Sequence, residues 1–134
     1  MKKLIVSLGL ALTLSFGATI DEALMAANKG DYKTALIIFE ELSSKNNAEA
    51  QYSLGVLYEN GYGVKQDYLK AKEWYEKAAA QGLALAQNNI GFLYGNGQGV
   101  KQDYKKAKEW YGKACDGGEQ QGCDNYKKLN QQGY

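Results

Sequence analysis

The chain contains no histidine, no arginine and no proline. Without histidine there is no Ser-His or Cys-His nucleophile pair and no imidazole ligand for zinc. Without arginine the usual bidentate clamp for carboxylate or phosphate is missing. Surplus charge is absent as well: 16 lysines stand against 15 acidic residues. No basic stripe of the kind a nucleic-acid surface needs can be built from that balance, so no nucleic-acid partner is expected. Nor does any motif call for a cofactor or a metal. Apolar runs are limited to one, Leu4 to Leu14, shorter than the roughly 20 residues that cross a bilayer. Cysteine is limited to Cys115 and Cys123.

The single apolar run sits where an export signal would. Met1-Lys2-Lys3 supplies positive charge ahead of it, and Ser15-Phe16-Gly17 places small residues at the minus-three and minus-one positions of a cut. This pattern predicts a secretory signal peptide over residues 1–17, a product starting near Ala18 and a secreted or periplasmic location. No cysteine stands at the cut, which argues against a lipid anchor, and no stable membrane insertion is expected once the leader is gone. The remaining chain carries 14 lysines and 15 acidic residues, a net charge of −1. Residues 18–134 are one domain's worth of chain, long enough to bury a usable core.

Most of that domain is one stretch written twice. Moving residues 48–83 forward by 36 positions onto 84–119 matches 23 of 36 residues. The matches include Gly55 with Gly91, Tyr58 with Tyr94, the run Gly63 to Tyr68 with Gly99 to Tyr104, and Trp74-Tyr75 with Trp110-Tyr111. A unit that cannot bury its own apolar face must stack on a neighbour, giving a short superhelix. Residues 18–47 read as a divergent first unit: Asp31 aligns with Asp67 and Asp103, Tyr32 with Tyr68 and Tyr104, and Phe39 with Tyr75 and Tyr111. Residues 120–134 read as a closing helix.

Within a unit the spacing is helical. Tyr68, Ala71, Tyr75 and Ala78 fall on one face of a 3.6-residue period, and so do Ala50, Leu54, Leu57 and Tyr58. The aspartate before each second helix is read as an N-cap. Gly55 and Gly91 fall inside the first helices, where glycine costs about 1 kcal/mol relative to alanine; close approach of a neighbouring helix is the expected reason. Asn60-Gly61-Tyr62-Gly63 and Asn96-Gly97-Gln98-Gly99 end those helices in a turn. These glycines do not form a phosphate loop, because no strand precedes them and no Gly-Lys-Ser/Thr follows. Glu73 with Lys77 and Glu109 with Lys113 are spaced as i, i+4 ion pairs. Trp74 and Trp110 are read as packing residues rather than sugar-stacking platforms.

The stretch AEAQYSLGVLYENGYGVKQDYLKAKEWYEKAAAQG and its copy ALAQNNIGFLYGNGQGVKQDYKKAKEWYGKACDGG resemble the Sel1-like repeat, a relative of the tetratricopeptide repeat with a longer inter-helix loop. The resemblance implies an all-α fold, a right-handed α/α superhelix of antiparallel helix pairs, used mainly as a scaffold for protein interactions. In the related tetratricopeptide fold the first helices line a concave face. Carried over by the glycine register, the inward positions are Tyr52, Val56 and Glu59 in one unit and Asn88, Phe92 and Gly95 in the next. They differ between copies while the packing residues do not. A protein or peptide partner, such as one of the cell envelope, is therefore expected on that face; a purely structural envelope component is the alternative.

Cys115 and Cys123 flank the Gly117-Gly118 turn, and in an exported chain two cysteines so placed are expected to form a disulfide. Closing a nine-residue loop is worth about 2.5 kcal/mol in the chain-entropy model. The preceding unit carries Ala79 and Gln87 at the same places. A redox pair is the alternative reading, without Cys-x-x-Cys spacing to favour it. An exported Sel1-like chain with such a cysteine pair is similar to the Helicobacter cysteine-rich proteins, which implies a β-lactamase or penicillin-binding activity and hence a β-lactam or peptidoglycan-related ligand. The residues do not supply the machinery: none of the five serines, Ser7, Ser15, Ser43, Ser44 and Ser53, has a lysine three positions on, and neither Ser-Asp-Asn nor Lys-Thr-Gly occurs.

Overall fold

The computed structural model describes residues 17–134. Of the expected leader, residues 1–16 lie outside the described residues. The described chain forms seven α-helices and no strand: α1 (Ile20–Asn28), α2 (Tyr32–Ser44), α3 (Ala48–Asn60), α4 (Tyr68–Ala80), α5 (Ala84–Asn96), α6 (Tyr104–Asp116) and α7 (Gln120–Gln131). None of these helices is long and apolar enough to cross a membrane. Each helix packs chiefly on the one before it and the one after it, as a stack of helix pairs requires.

Local chemistry sets the helix ends. Asp31, Asp67 and Asp103 each accept a hydrogen bond from the backbone N–H three residues on, at 3.2, 3.0 and 3.0 Å, so the second helix of every unit starts on the same cap. Thr19 and Glu22 form a reciprocal capping box at the start of α1, and Asn47 caps α3 by accepting from Ala50 at 2.8 Å. The turns between units use Asn46, Gly82 and Gly118, all left-handed, at positions 36 residues apart. Asn46 is the one residue other than glycine with positive φ among the described residues.

The core is built from alanines and the two repeated tyrosines. Ala71, Tyr75, Ala78, Ala86, Ile90 and Leu93 form its centre, with Ala35, Phe39, Leu54 and Leu57 before it and Ala107, Tyr111 and Leu129 after it. Gly55 and Gly91 have the reason their position demands, and it is a ring rather than a helix backbone. A Cβ on Gly55 would lie 2.4 Å from Tyr75 Cε1, and one on Gly91 would lie 2.5 Å from Tyr111 Cε1. The first helix of each full unit is thus hollowed to seat the tyrosine of its second helix.

Two surface expectations resolve differently. Glu73–Lys77 and Glu109–Lys113 do not pair; Lys77 and Lys113 lie over the rings of Trp74 and Trp110, 4.3 and 4.4 Å from the centroids. A half-buried indole offers both a π face to the ammonium and apolar contact to its stem, whereas an exposed carboxylate offers only a screened charge. The ion pair on α4 is Lys72–Glu76 instead. Both tryptophans pack against the core clusters, as the repeat register implied.

Candidate functional site

Three junctions occur along the stack, where a helix pair meets the first helix of the next unit. The same three structural positions recur at each: one on the second helix, one on the incoming first helix, and one near the end of the preceding first helix. Their chemistry differs from junction to junction.

At the first junction, α1 and α2 meet α3. The second-helix position is Phe39 and the incoming position is Ser53. A cavity of about 320 Å³ opens here, lined by Leu24, Ala27, Phe39, Tyr52, Val56 and Leu57 among others. Tyr32 and Tyr62 stand at its edge with their rings stacked, 4.9 Å between centroids. Apart from Asn28, Ser53 and the tyrosine hydroxyls the lining is apolar.

At the second junction, α3 and α4 meet α5, and the equivalent space is occupied from within. Tyr75 replaces Phe39, and its hydroxyl donates a short hydrogen bond to Glu59 Oε2. Burial first, and this carboxylate second, hold the Tyr75 phenol far above the ordinary tyrosine range, while the Asn89 amide acts in the opposite sense. Tyr52, 5.7 Å from Tyr75 between ring centroids, is also raised by burial, again opposed by Asn89. Gln66 braces the end of α3 by donating to Glu59 O at 2.7 Å and to Tyr68 Oη at 3.1 Å.

At the third junction, α5 and α6 meet α7. Tyr111 takes the place of Tyr75, Asn125 that of Asn89, and Gln102 repeats the brace, donating to Gly95 O at 2.8 Å and to Tyr104 Oη at 3.0 Å. The carboxylate, however, is gone, because Gly95 stands where Glu59 stood. A cavity of about 370 Å³ opens beside it, lined by Phe92, Gly95, Tyr104, Tyr111, Asn125 and Lys128 among others. Phe92 meets the Tyr111 ring edge-on at 5.7 Å. Burial alone pushes the Tyr111 phenol up to about 12. Asn125 Nδ2 is buried without an acceptor among the described residues.

The six expected face residues therefore divide. Tyr52 and Val56 line the first cavity, and Phe92 and Gly95 line the third-junction cavity. Glu59 is engaged internally by Tyr75. Asn88 is 1 % exposed and donates to Gln121 Oε1 on α7 at 3.1 Å, which makes it a packing residue of the last junction. Sequence reasoning did not find Tyr111, Asn125 and Lys128 as cavity residues. One more 36-residue step would have aligned Asn125 with Asn89 and Lys128 with Phe92, but few identities persist beyond residue 119 to fix that register. Two further hollows, of about 580 and 570 Å³, lie under the long loops and are lined by the same residue types in both units, so they belong to the repeat's own architecture.

Cys115 and Cys123 are joined in a disulfide, with Cα atoms 4.5 Å apart. In the preceding unit the same two positions also meet: Gln87 Nε2 donates to Ala79 O at 3.5 Å. Among the described residues no group of three or more His, Cys, Asp or Glu side chains is placed to hold a metal.

The comparisons with known proteins agree with this architecture. The Sel1 repeat family matches residues 48–83 and 84–119. No curated protein sequence matches the chain. Among solved structures, a Sel1 repeat protein from Oxalobacter formigenes superposes with a TM-score of 0.82 at 30% identity, covering 86% of this chain and 47% of that one. A protective antigen present in uropathogenic Escherichia coli strains, displaying an SLR fold, superposes at 0.72 and 32% identity over 85% of this chain and 26% of its own. The chain thus spans less than half the length of either. Helicobacter pylori cysteine rich protein B shares the fold at a TM-score of 0.66 and 22% identity, covering 87% of this chain and 93% of that one. By its two matched repeats, which seat their tyrosines and cap their helices alike, the chain belongs to the Sel1 repeat family.

Proposed function

We propose that this chain is an exported, non-enzymatic interaction module that binds a protein or peptide partner through the face formed by its first helices. The observation that carries the reading is the contrast between constant packing and variable cavities. The tyrosine seats and loop hollows recur in both full units and the aspartate cap in all three second helices, whereas the first-junction and third-junction cavities sit at equivalent places with different linings. A fold that holds its frame constant and changes only what faces a hollow is built for recognition. Export is supported by the residue 1–17 pattern and by a disulfide of the kind that persists in oxidising compartments.

Selection of peptides from a displayed library on the oxidised chain tests the reading. Selected peptides are expected to weaken by about tenfold or more with Tyr52→Ala or Phe92→Ala, a loss of about 1.4 kcal/mol or more. Unchanged affinity in both variants would place recognition elsewhere. Turnover of a chromogenic β-lactam that follows the protein through purification and vanishes on unfolding would replace the scaffold reading with a hydrolytic one.

A further inference from the structure

The second and third junctions are the same cradle with one group moved. In both, a tyrosine ring is seated in a helix glycine at nearly equal distances, Tyr75 on Gly55 and Tyr111 on Gly91. In both, a glutamine brace ties the end of the first helix to the tyrosine that opens the second, with matching bond lengths. At the second junction the cradle holds a carboxylate of its own, Glu59, against the Tyr75 hydroxyl. At the third junction that carboxylate is deleted by Gly95. The tyrosine donor is retained, since the Tyr111 hydroxyl follows that of Tyr75 and donates to no carboxylate among the described residues. Asn125, which follows the Asn89 that acts on the Tyr75 phenol, adds a donor of its own, because its Nδ2 is buried without an acceptor. A cation is added, because Lys128 occupies the position that Phe92 holds one unit earlier.

A buried amide donor without an acceptor costs stability unless something fills the space, and an ammonium beside two neutral donors favours an anionic acceptor over a neutral one. The planar, two-oxygen acceptor that satisfies this set is already present in the same protein, one unit away. We propose that the third-junction cavity is a carboxylate-binding site, in which Tyr111, Asn125 and Lys128 hold from outside the group that Glu59 supplies internally at the preceding junction. Phe92 and Tyr104 form an aromatic wall for whatever carries the carboxylate, and about 370 Å³ accommodates a small acid or the end of a peptide. This inference deepens the binding-module reading and rests on it only for the identity of the face.

Gly95 provides the decisive variant. A Cβ there would meet only Ala107 Cβ and Tyr111 Oη, each at 3.7 Å, and the backbone is ordinary helix, so a side chain is tolerated. Gly95→Glu rebuilds the internal carboxylate and closes the site. Titrating the ¹⁵N-labelled oxidised chain with benzoate, with benzamide as the neutral control, should shift the resonances of Phe92, Tyr111, Asn125 and Lys128 for the acid alone. Gly95→Glu should abolish those shifts, Lys128→Gln should weaken binding by about tenfold, and Lys33→Gln, which removes an exposed lysine on α2 far from the cavity, should match the parent. Thermal melts of each variant confirm that it is folded.

Two peptides separate the sources of the carboxylate: acetyl-Gly-Phe with a free C-terminal acid and its C-terminal amide. An acid peptide tighter than benzoate, with the amide inert, assigns a peptide carboxylate; benzoate binding with no gain for the peptide assigns a small free acid. Equal shifts from benzoate and benzamide, or benzoate binding that survives Gly95→Glu, or no shift from any acid, would overturn the proposal. Peptides selected on Tyr52 without regard to carboxylate would leave the scaffold reading intact while these results removed the carboxylate site, so the two fail separately.

Discussion

Gly91 and Gly95, four residues apart on α5, are expected to respond in opposite directions to the same methyl group. At Gly91 it would meet the buried Tyr111 ring at 2.5 Å, and at Gly95 it would make only ordinary contacts, with Ala107 Cβ and Tyr111 Oη at 3.7 Å. Gly91→Ala should therefore destabilise the chain by about 1–3 kcal/mol through overpacking. Gly95→Ala should stabilise it by up to about 1 kcal/mol through helix propensity. Urea unfolding of the two variants checks this; a shared sign would mean that the ring seat is not what holds glycine at position 91. The tyrosine in that seat carries a second prediction. Burial raises the folded Tyr111 pKa from 10.0 to about 12. A phenol raised in the folded state contributes its stability fully below the unfolded pKa, and that contribution is lost as pH rises from about 10 to about 12. Melting temperature should fall more steeply across that window in the parent than in Tyr111→Phe, and parallel curves would show that the hydroxyl ionises in the folded state without penalty.

At the scale of the helix, the second elements of the units were the most legible part of the chain. Each begins on an aspartate whose role follows from its position alone, and Asp67→Ala and Asp103→Ala should each lower stability by about 1 kcal/mol in chemical denaturation. A loss near zero would mean that water replaces the cap. The charged faces of the same helices were less legible. Spacing pointed Lys77 at Glu73 and Lys113 at Glu109, yet both lysines lie over tryptophan rings. Helical periodicity says which side chains can meet, but which of two reachable partners wins depends on how deeply the unit above buries the indole. The cavities share this dependence: Tyr52, Val56, Phe92 and Gly95 could be placed by register, while the contributions of Asn125 and Lys128 needed the docking of α7.

Across the whole molecule, stability is a sum over neighbours, so an end helix is held by one interface only. α7 packs on α6 and is fastened to it by the Cys115–Cys123 bridge. Replacing both cysteines with serine should cost up to about 2.5 kcal/mol in the chain-entropy model. Amide exchange should rise chiefly in α7, with α3 and α4 little changed. Uniform acceleration along the chain would instead mean that the stack unfolds as one cooperative body. Because Asn125 and Lys128 are on α7, the same substitution should weaken any ligand of the third-junction cavity, and the first-junction cavity, formed by α1, α2 and α3, should be unaffected.

The 36-residue repeat, the helical spacing, the aspartate caps and the paired cysteines by themselves determined the all-α repeat architecture, the ends of the first helices and the starts of the second helices in both full units, since each of these is a local property or a property of the repeat. Tertiary structure decided what occupies the junctions. Whether a tyrosine hydroxyl meets an internal carboxylate, as at Glu59, or an open cavity, as beside Gly95, depends on three helices from adjoining units converging at one point. No single helix period encodes that convergence, and the replacement of Glu59 by Gly95 in the next copy removes the group that fills the cradle.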